Sequence, residues 1–238
     1  MKILAINSSP NMKKGITGFI LNKFLEGMKE KDAEVEIYYT KKLNIEPCNA
    51  CFNCWFITEG VCSIKDDMEF VLPKIAEADF FIVASPLYID GITGPMKKII
   101  DRMLPLLSPF MELRKGRCRH PFREYSKTSK VVYVATCAYW KLENFKPMIM
   151  YMEAMCENVG KEFVGALLRP HSGALMYLKR RGDSVDDILS AIKDAGRELI
   201  KRGKISSEIL NLISRELLPQ KDYIQIFNQG IEKNIKSL

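Results

Sequence analysis

Four of the seven cysteines in this 238-residue chain fall close together, as Cys48-x2-Cys51-x2-Cys54-x7-Cys62. Three thiolates at that spacing can wrap one face of a [4Fe–4S] cubane while a fourth closes it, as C-x2-C-x2-C runs do in bacterial ferredoxins. Zinc more often takes two separated C-x2-C knuckles. Free thiols, or a regulatory Cys51–Cys54 disulfide, are the readings that need no metal. The spacing alone leaves these alternatives open. Cys118, Cys137 and Cys156 are scattered and read as small packed or half-exposed thiols.

Three loops carry a second kind of chemistry. Residues 7–18 (Asn-Ser-Ser-Pro-Asn-Met-Lys-Lys-Gly-Ile-Thr-Gly) leave a strand and enter a helix. A helix N-terminus offers unpaired N–H groups and a positive dipole end, so it can hold a phosphate. Ser9 and Thr17 add hydroxyl donors, and the glycines let backbone come close. The loop is neither a Walker A sequence nor GxGxxG, so a triphosphate or dinucleotide site fits poorly. Residues 85–95 (Ser-Pro-Leu-Tyr-Ile-Asp-Gly-Ile-Thr-Gly-Pro) follow a later strand, with Tyr88 able to present an aromatic face. Residues 136–140 put Thr136, Cys137, Tyr139 and Trp140 at another strand end, which suits a ring pocket.

The elements that must position these loops alternate. Strand patterns at Lys2–Asn7, Glu34–Tyr39, Asp79–Ala84, Lys130–Thr136 and Phe163–Leu168 are interleaved with helical spacing at Gly18–Lys31, Asp67–Ala78, Pro95–Leu106, Phe145–Val159 and Ser184–Arg202. Asp66 or Asp67 is placed to cap the second of these helices and Ser184 the last. Near-continuous apolar strands between helices predict an α/β fold, a doubly wound five-stranded parallel sheet with helices on both faces. Ligands then sit beyond the carboxyl ends of the strands, where all three loops fall. Apolar stripes at Ile205–Leu217 and Tyr223–Ile235 add extra C-terminal helices, packed on the parent domain or a second subunit. The expected division is residues 1–202, carrying the cysteine-rich loop 47–63, and a helical extension 203–238.

Hydrophobic residues make up 47% and charged residues 27% of the chain, as in an ordinary globular protein. No apolar run is long enough to span a bilayer, and no export signal is visible, so no membrane partner and a cytoplasmic location are expected. The net charge is +7, concentrated partly in Arg114–Lys130. That stretch reads as a solvated surface excursion; no nucleic-acid module accompanies it, so no nucleic acid is expected. His120 and His171 are the only histidines; His171 follows a strand end and could face a ring bound there, with a surface position the favoured reading.

Ser8-Ser9-Pro10-Asn11, Gly15-Ile16-Thr17, Ser85-Pro86-Leu87-Tyr88 and Gly94-Pro95-Met96-Lys97 together resemble the flavodoxin-like NADPH-dependent FMN reductase superfamily over roughly residues 1–200. There a Gly-Ser-Pro-Arg-like loop ends in Gly-Asn-Thr, and a later strand leads into Ser-Pro-Val-Tyr and Gly-x-x-Lys. The resemblance implies a flavodoxin-like fold. It implies FMN with its phosphate on Ser9, Asn11, Thr17 and Gly18, and its ring lined by Pro86, Leu87, Tyr88 and Ile89. Asn11 stands where Arg is common and Ile16 where Asn is common, with Lys13 or Lys14 as substitutes for the charge. The cysteine loop is similar to that of the iron–sulfur flavoprotein branch, which implies one [4Fe–4S] cluster on Cys48, Cys51, Cys54 and Cys62. Electrons would come from NAD(P)H or a ferredoxin-like donor, in a homodimer or homotetramer. A flavin-bearing redox sensor or carrier without a cluster is the alternative. A metal-binding module acting on nucleic acid is the second.

Overall fold

The computed structural model describes residues 1–237. In chain order, β1 (Lys2–Asn7) is followed by α1 (Ile16–Lys29), β2 (Glu34–Tyr39), the single turn α2 (Asn53–Phe56), α3 (Met68–Glu77), β3 (Phe80–Pro86), α4 (Gly94–Asp101), β4 (Glu112–Arg114) and β5 (Arg117–Arg119). Then come β6 (Lys130–Thr136), α5 (Lys146–Val159), β7 (Glu162–Arg169), α6 (Ser172–Arg181), α7 (Asp186–Arg202), α8 (Ser207–Ser214) and α9 (Gln220–Lys236).

Five strands form one sheet in the order β2-β1-β3-β6-β7, every pair parallel. Counted along the chain these are strands 2-1-3-4-5, the flavodoxin-like order. Side chains alternate faces along each strand, which splits the core in two. Leu4, Ile6, Phe81, Val83, Val131 and Tyr133 pack under α3, α4 and α5. Ile3, Ala5, Phe80, Ile82, Val132 and Val134 pack under α1, α7 and α8. Both faces are therefore buried, as the continuous apolar strands predicted.

α1 and α7 touch backbone to backbone. A Cβ on Gly27 would fall onto the Lys193 carbonyl, and one on Gly196 onto the Phe24 carbonyl. The helices must separate to admit even a methyl group, and overpacking of this kind costs about 2 kcal/mol. Gly27→Ala should lose that much unfolding free energy in urea, read as a lower midpoint with an unchanged m-value.

Differences from the sequence reading have local causes. α1 starts at Ile16 rather than Gly18 because Gly15 is extended and serves as its N-cap. The helix expected over Pro95–Leu106 ends at Asp101 and gives way to a tight turn over Leu104–Leu106, where Pro105 removes a donor. Ser184 does not cap α7, whose N-cap is Val185 without a side-chain bond. α6 was missed: its apolar residues run consecutively over 174–178 instead of forming a stripe, and only Ser172, Ala174 and Leu175 are buried. Within the basic stretch, Arg114–Arg119 folds into a hairpin with left-handed Lys115 and Gly116 at its turn. Arg114 is tied to Glu112 and the carbonyls of His120 and Glu157, so part of this charge is structural. Among the described residues no helix is long and apolar enough to cross a membrane.

Candidate cofactor site and cysteine pocket

The three loops meet at the carboxyl ends of β1, β3 and β6. The Ser8 N–H donates to the Ala84 carbonyl at 2.8 Å, joining loop one to β3. The Leu87 N–H donates to the Thr136 carbonyl at 2.9 Å, joining loops two and three. The Thr17 and Thr136 hydroxyls lie 2.7 Å apart, both buried, joining loops one and three. Two hydroxyls carry two hydrogens and use one between them, so a donor is left for a bound oxygen.

Loop one is shaped by its own backbone. Asn7 Oδ1 accepts the Ser9 N–H at 2.8 Å, and the Ser9 carbonyl accepts the Met12 N–H at 2.9 Å. α1 then begins with the N–H groups of Ile16, Thr17 and Gly18 outside its ladder; Phe19 is the first to donate, to the Gly15 carbonyl at 2.9 Å. A Cβ on Gly15 would stand 2.9 Å from Ser9 Oγ and 3.0 Å from Asn11 Cβ, so a side chain there would crowd Ser9 and Asn11. Gly18 has a different need: its Cβ would run into the Met12 carbonyl. Ser9 and Thr17 are buried and Asn11 is exposed. This donor set fits a phosphate.

Loop two is a tight turn. Tyr88 and Gly91 exchange N–H···O bonds of 2.9 and 3.0 Å, with Ile89 and Asp90 left-handed at φ 46° and 55°. A β-branched residue is strained there, and such strain clusters at ligand clamps. Leu87 is buried and Pro86 half-buried, while Tyr88 and Ile89 project outward, Ile89 being 96% exposed.

Loop three is held from behind. The buried Cys137 thiol donates to the Tyr139 carbonyl at 3.4 Å, and burial pushes its pKa up to about 11, so it is a neutral wall rather than a nucleophile. Tyr139 is exposed. His171, expected at the surface, is fully buried. Its backbone N–H donates to the Tyr139 carbonyl at 2.7 Å and its Nδ1 lies 3.0 Å from the Trp140 carbonyl. Nε2 therefore accepts, from Arg169 Nη2 at 2.9 Å and the Leu217 N–H at 3.1 Å. The Tyr223 hydroxyl of α9 donates to the Ala138 carbonyl at 2.6 Å. Nothing in the sequence pattern marked these long-range partners.

Burial, and then the Arg169 charge, lower the His171 pKa from 6.5 to about 4. The unfolded chain takes up this proton near pH 6.5 and the folded chain does so only near 4, so stability falls as pH falls through that window. At about 1.4 kcal/mol per unit, the loss is about 3 kcal/mol. Unfolding free energies from urea at pH 7 and 4.5 should differ less in His171→Gln than in the parent, by most of that amount.

The cysteine loop lies between β2 and α3. Cys48, Cys51, Cys54 and Cys62 line one pocket, together with Phe52, Arg102, Leu104 and Pro105. Cys54, on α2, is buried at its base; Cys62 is half-buried, and Cys48 and Cys51 are exposed. All seven cysteines are free in this structure. Among the described residues no three His, Cys, Asp or Glu side chains close onto a single ion, although all four cysteines line one pocket. The Ser63 hydroxyl, 3.5 Å from Cys51 Sγ, holds that thiol below its ordinary pKa, and burial pushes Cys54 up. Asp66 and Arg102 clasp the two ends of the loop. The Asp66 carboxylate accepts the N–H groups of Glu46 at 2.9 Å and Met68 at 3.0 Å, and two guanidinium bonds of 2.7 and 3.0 Å. Of the two expected caps, Asp66 rather than Asp67 thus bonds the start of α3. Arg102 carried no sequence signal: it follows a helix of ordinary lysines.

Fold and loops together define a flavodoxin-like α/β protein with three loops joined at the carboxyl ends of its strands and four cysteines lining one pocket. The chain belongs to the NADPH-dependent FMN reductase family, whose family model matches residues 1–123. An iron-sulfur flavoprotein of Archaeoglobus fulgidus is 41% identical over 102 residues, 43% of this chain and 48% of that protein. One of Methanocaldococcus jannaschii is 34% identical over 106 residues, 44% of this chain and 53% of its own. The chain thus spans about half the length of the curated relatives it matches. Among solved structures, an FMN-dependent NADH-azoreductase of Bacillus anthracis superposes with a TM-score of 0.60 at 13% identity, covering 84% of this chain and 98% of that one. An NAD(P)H:quinone oxidoreductase of Methanothermobacter marburgensis does so at 0.60 and 17%, covering 84% and 96%. These two likenesses concern the fold.

Proposed function

We propose that the chain binds FMN at the three converging loops and a [4Fe–4S] cluster in the cysteine pocket, and passes electrons from NAD(P)H or a ferredoxin-like donor to an acceptor. The observation that carries the flavin reading is the junction at Thr17 and Thr136, where two buried hydroxyls meet at the N-terminal turn of α1 that Gly15 opens. Ser9, Asn11, Thr17 and the N–H groups around Gly18 hold the phosphate, with Gly18 letting the loop close on α1. Pro86, Leu87, Tyr88 and Ile89 line one side of the ring, and Thr136, Cys137 and Tyr139 another. FMN, when bound, accepts a hydride or single electrons, and the protein supplies position and electrostatics. The rigid turn at Tyr88–Gly91 orients the ring edge, and the neutral Cys137 thiol keeps that wall free of charge.

The four thiols around one pocket support the cluster, as do relatives whose names carry iron–sulfur. Cys48, Cys51, Cys54 and Cys62 are its ligands in this reading. α9 supports the homodimer or homotetramer: Ile224, Phe227, Ile231 and Ile235 form an exposed apolar stripe at helical spacing. The chain acts in the cytoplasm.

Titration of the flavin-stripped protein with FMN, read by quenching of flavin fluorescence, tests the site. A Kd in the micromolar range or tighter is expected, weakened at least tenfold in Thr17→Val. Unquenched FMN would overturn the reading. Anaerobic mixing with NADPH, NADH or a reduced ferredoxin then identifies the donor by bleaching of the flavin bands. A bound flavin that none of them bleaches would favour the sensor or carrier.

A further inference from the structure

We propose that Arg102 is a positioning residue of the cysteine pocket, whose Nε–H donates a hydrogen bond to a sulfur of the cluster held there and raises its reduction potential. The inference rests on reading Cys48, Cys51, Cys54 and Cys62 as cluster ligands.

Arg102 ends α4 and points its side chain, 1% exposed, under the cysteine loop. Four of its bonds are accounted for. Nη1 donates to the Glu46 carbonyl at 2.8 Å and Asp66 Oδ2 at 2.7 Å, and Nη2 to Asp66 Oδ1 at 3.0 Å and the Ile64 carbonyl at 3.4 Å. Glu46 precedes Cys48 and Ile64 follows Cys62, so the guanidinium fork ties the two ends of the loop together. The fork is planar and its fifth donor is fixed by the other four. That donor, Nε, is buried and has no partner. Buried donors are rarely left unpaired, and an exception asks for a partner that belongs there.

The pocket supplies the partner. Arg102 lines the same space as the four cysteines. Among the described residues only one other buried side-chain N or O atom is unpaired, Arg123 Nη2, and Arg123 is not among the residues lining this pocket. The clasp alone needs only the two Nη groups, so a structural role leaves Nε unexplained. An arginine guanidinium stays protonated in proteins, so all five of its N–H groups are donors. Hydrogen bonds to cluster sulfurs stabilise the more negative, reduced state and raise the potential.

Arg102→Lys keeps a cation facing Asp66 and removes the Nε–H. Parent and variant are reconstituted anaerobically with iron and sulfide, assayed for both, and titrated for the cluster's midpoint potential by electron paramagnetic resonance. Equal loading is expected, with the variant's reduction equilibrium at least tenfold less favourable, a negative shift of about 59 mV or more for one electron. Equal potentials at equal loading would overturn the role of Arg102 and leave the ligands standing. A parent that takes up no iron would overturn the ligand reading and this inference with it. A readout on the parent alone covers a variant that does not fold. With 15N-labelled arginine, the reduced cluster should show a nitrogen coupling from the guanidinium; its absence contradicts the bond.

Discussion

Cys54→Ser should retain its FMN and lose iron and sulfide together. Cys54 is the buried thiol at the base of the pocket, set on α2. Its backbone is pinned by the left-handed Phe52 before it and by the Gly60 N–H, which donates to the Cys54 carbonyl at 2.8 Å. A serine there keeps the backbone and the volume, but replaces a soft thiolate with a hard oxygen that iron–sulfur clusters seldom accept. The flavin loops make no bond to Cys54, so the FMN site should be untouched. Flavin, iron and sulfide measured on one sample decide the matter. Undiminished iron would contradict the assignment of this ligand.

The second large effect is on stability. Asp66→Ala should cost about 4 kcal/mol, the usual penalty for leaving one partner of a buried ion pair unpaired. Asp66 and Arg102 are each 1% exposed at the side chain. Burial opposes the Asp66 charge, yet the bonds from Arg102, Glu46 and Met68 outweigh it and hold its carboxyl below the usual range. Removing the carboxylate strands the guanidinium and the two N–H groups together. Since the same clasp closes the cysteine loop, the variant should also lose its iron more readily. Urea unfolding gives the first number, and iron release to a chelator the second. A loss under 1 kcal/mol would mean that water reaches the pair.

The parallel sheet, both helical layers and the positions of the three loops were legible because they follow from local pattern; the flavodoxin-like character of the fold came only with the family resemblance. A continuous apolar strand such as Phe80–Ala84 has no reading other than burial on both faces, and the loops at its end inherit their place from the topology. The cysteine pocket was legible as spacing. What was not legible depends on contacts across long stretches of chain. His171 looks like a lone surface histidine, and only the return of residues 213–223 over β7 buries it, through Arg169 and Tyr223. Burial, and then the Arg215 charge, lower the Arg169 pKa to about 10, yet the guanidinium stays charged and donates to the carbonyls of Ile213 and Arg215 at the end of α8. The chain past residue 202 is therefore bound into the sheet's edge, where its apolar stripes alone could not distinguish the parent domain from a second subunit. Arg102 was invisible for the same reason: its partners lie 36 to 56 residues away.

The most direct test is an anaerobic absorbance spectrum of the purified protein, with flavin, iron and acid-labile sulfide quantified on the same sample. The account predicts about one FMN per chain with about four iron and four sulfide, and a broad charge-transfer shoulder beneath the flavin bands. A protein that shows no flavin bands even after FMN is added would contradict it.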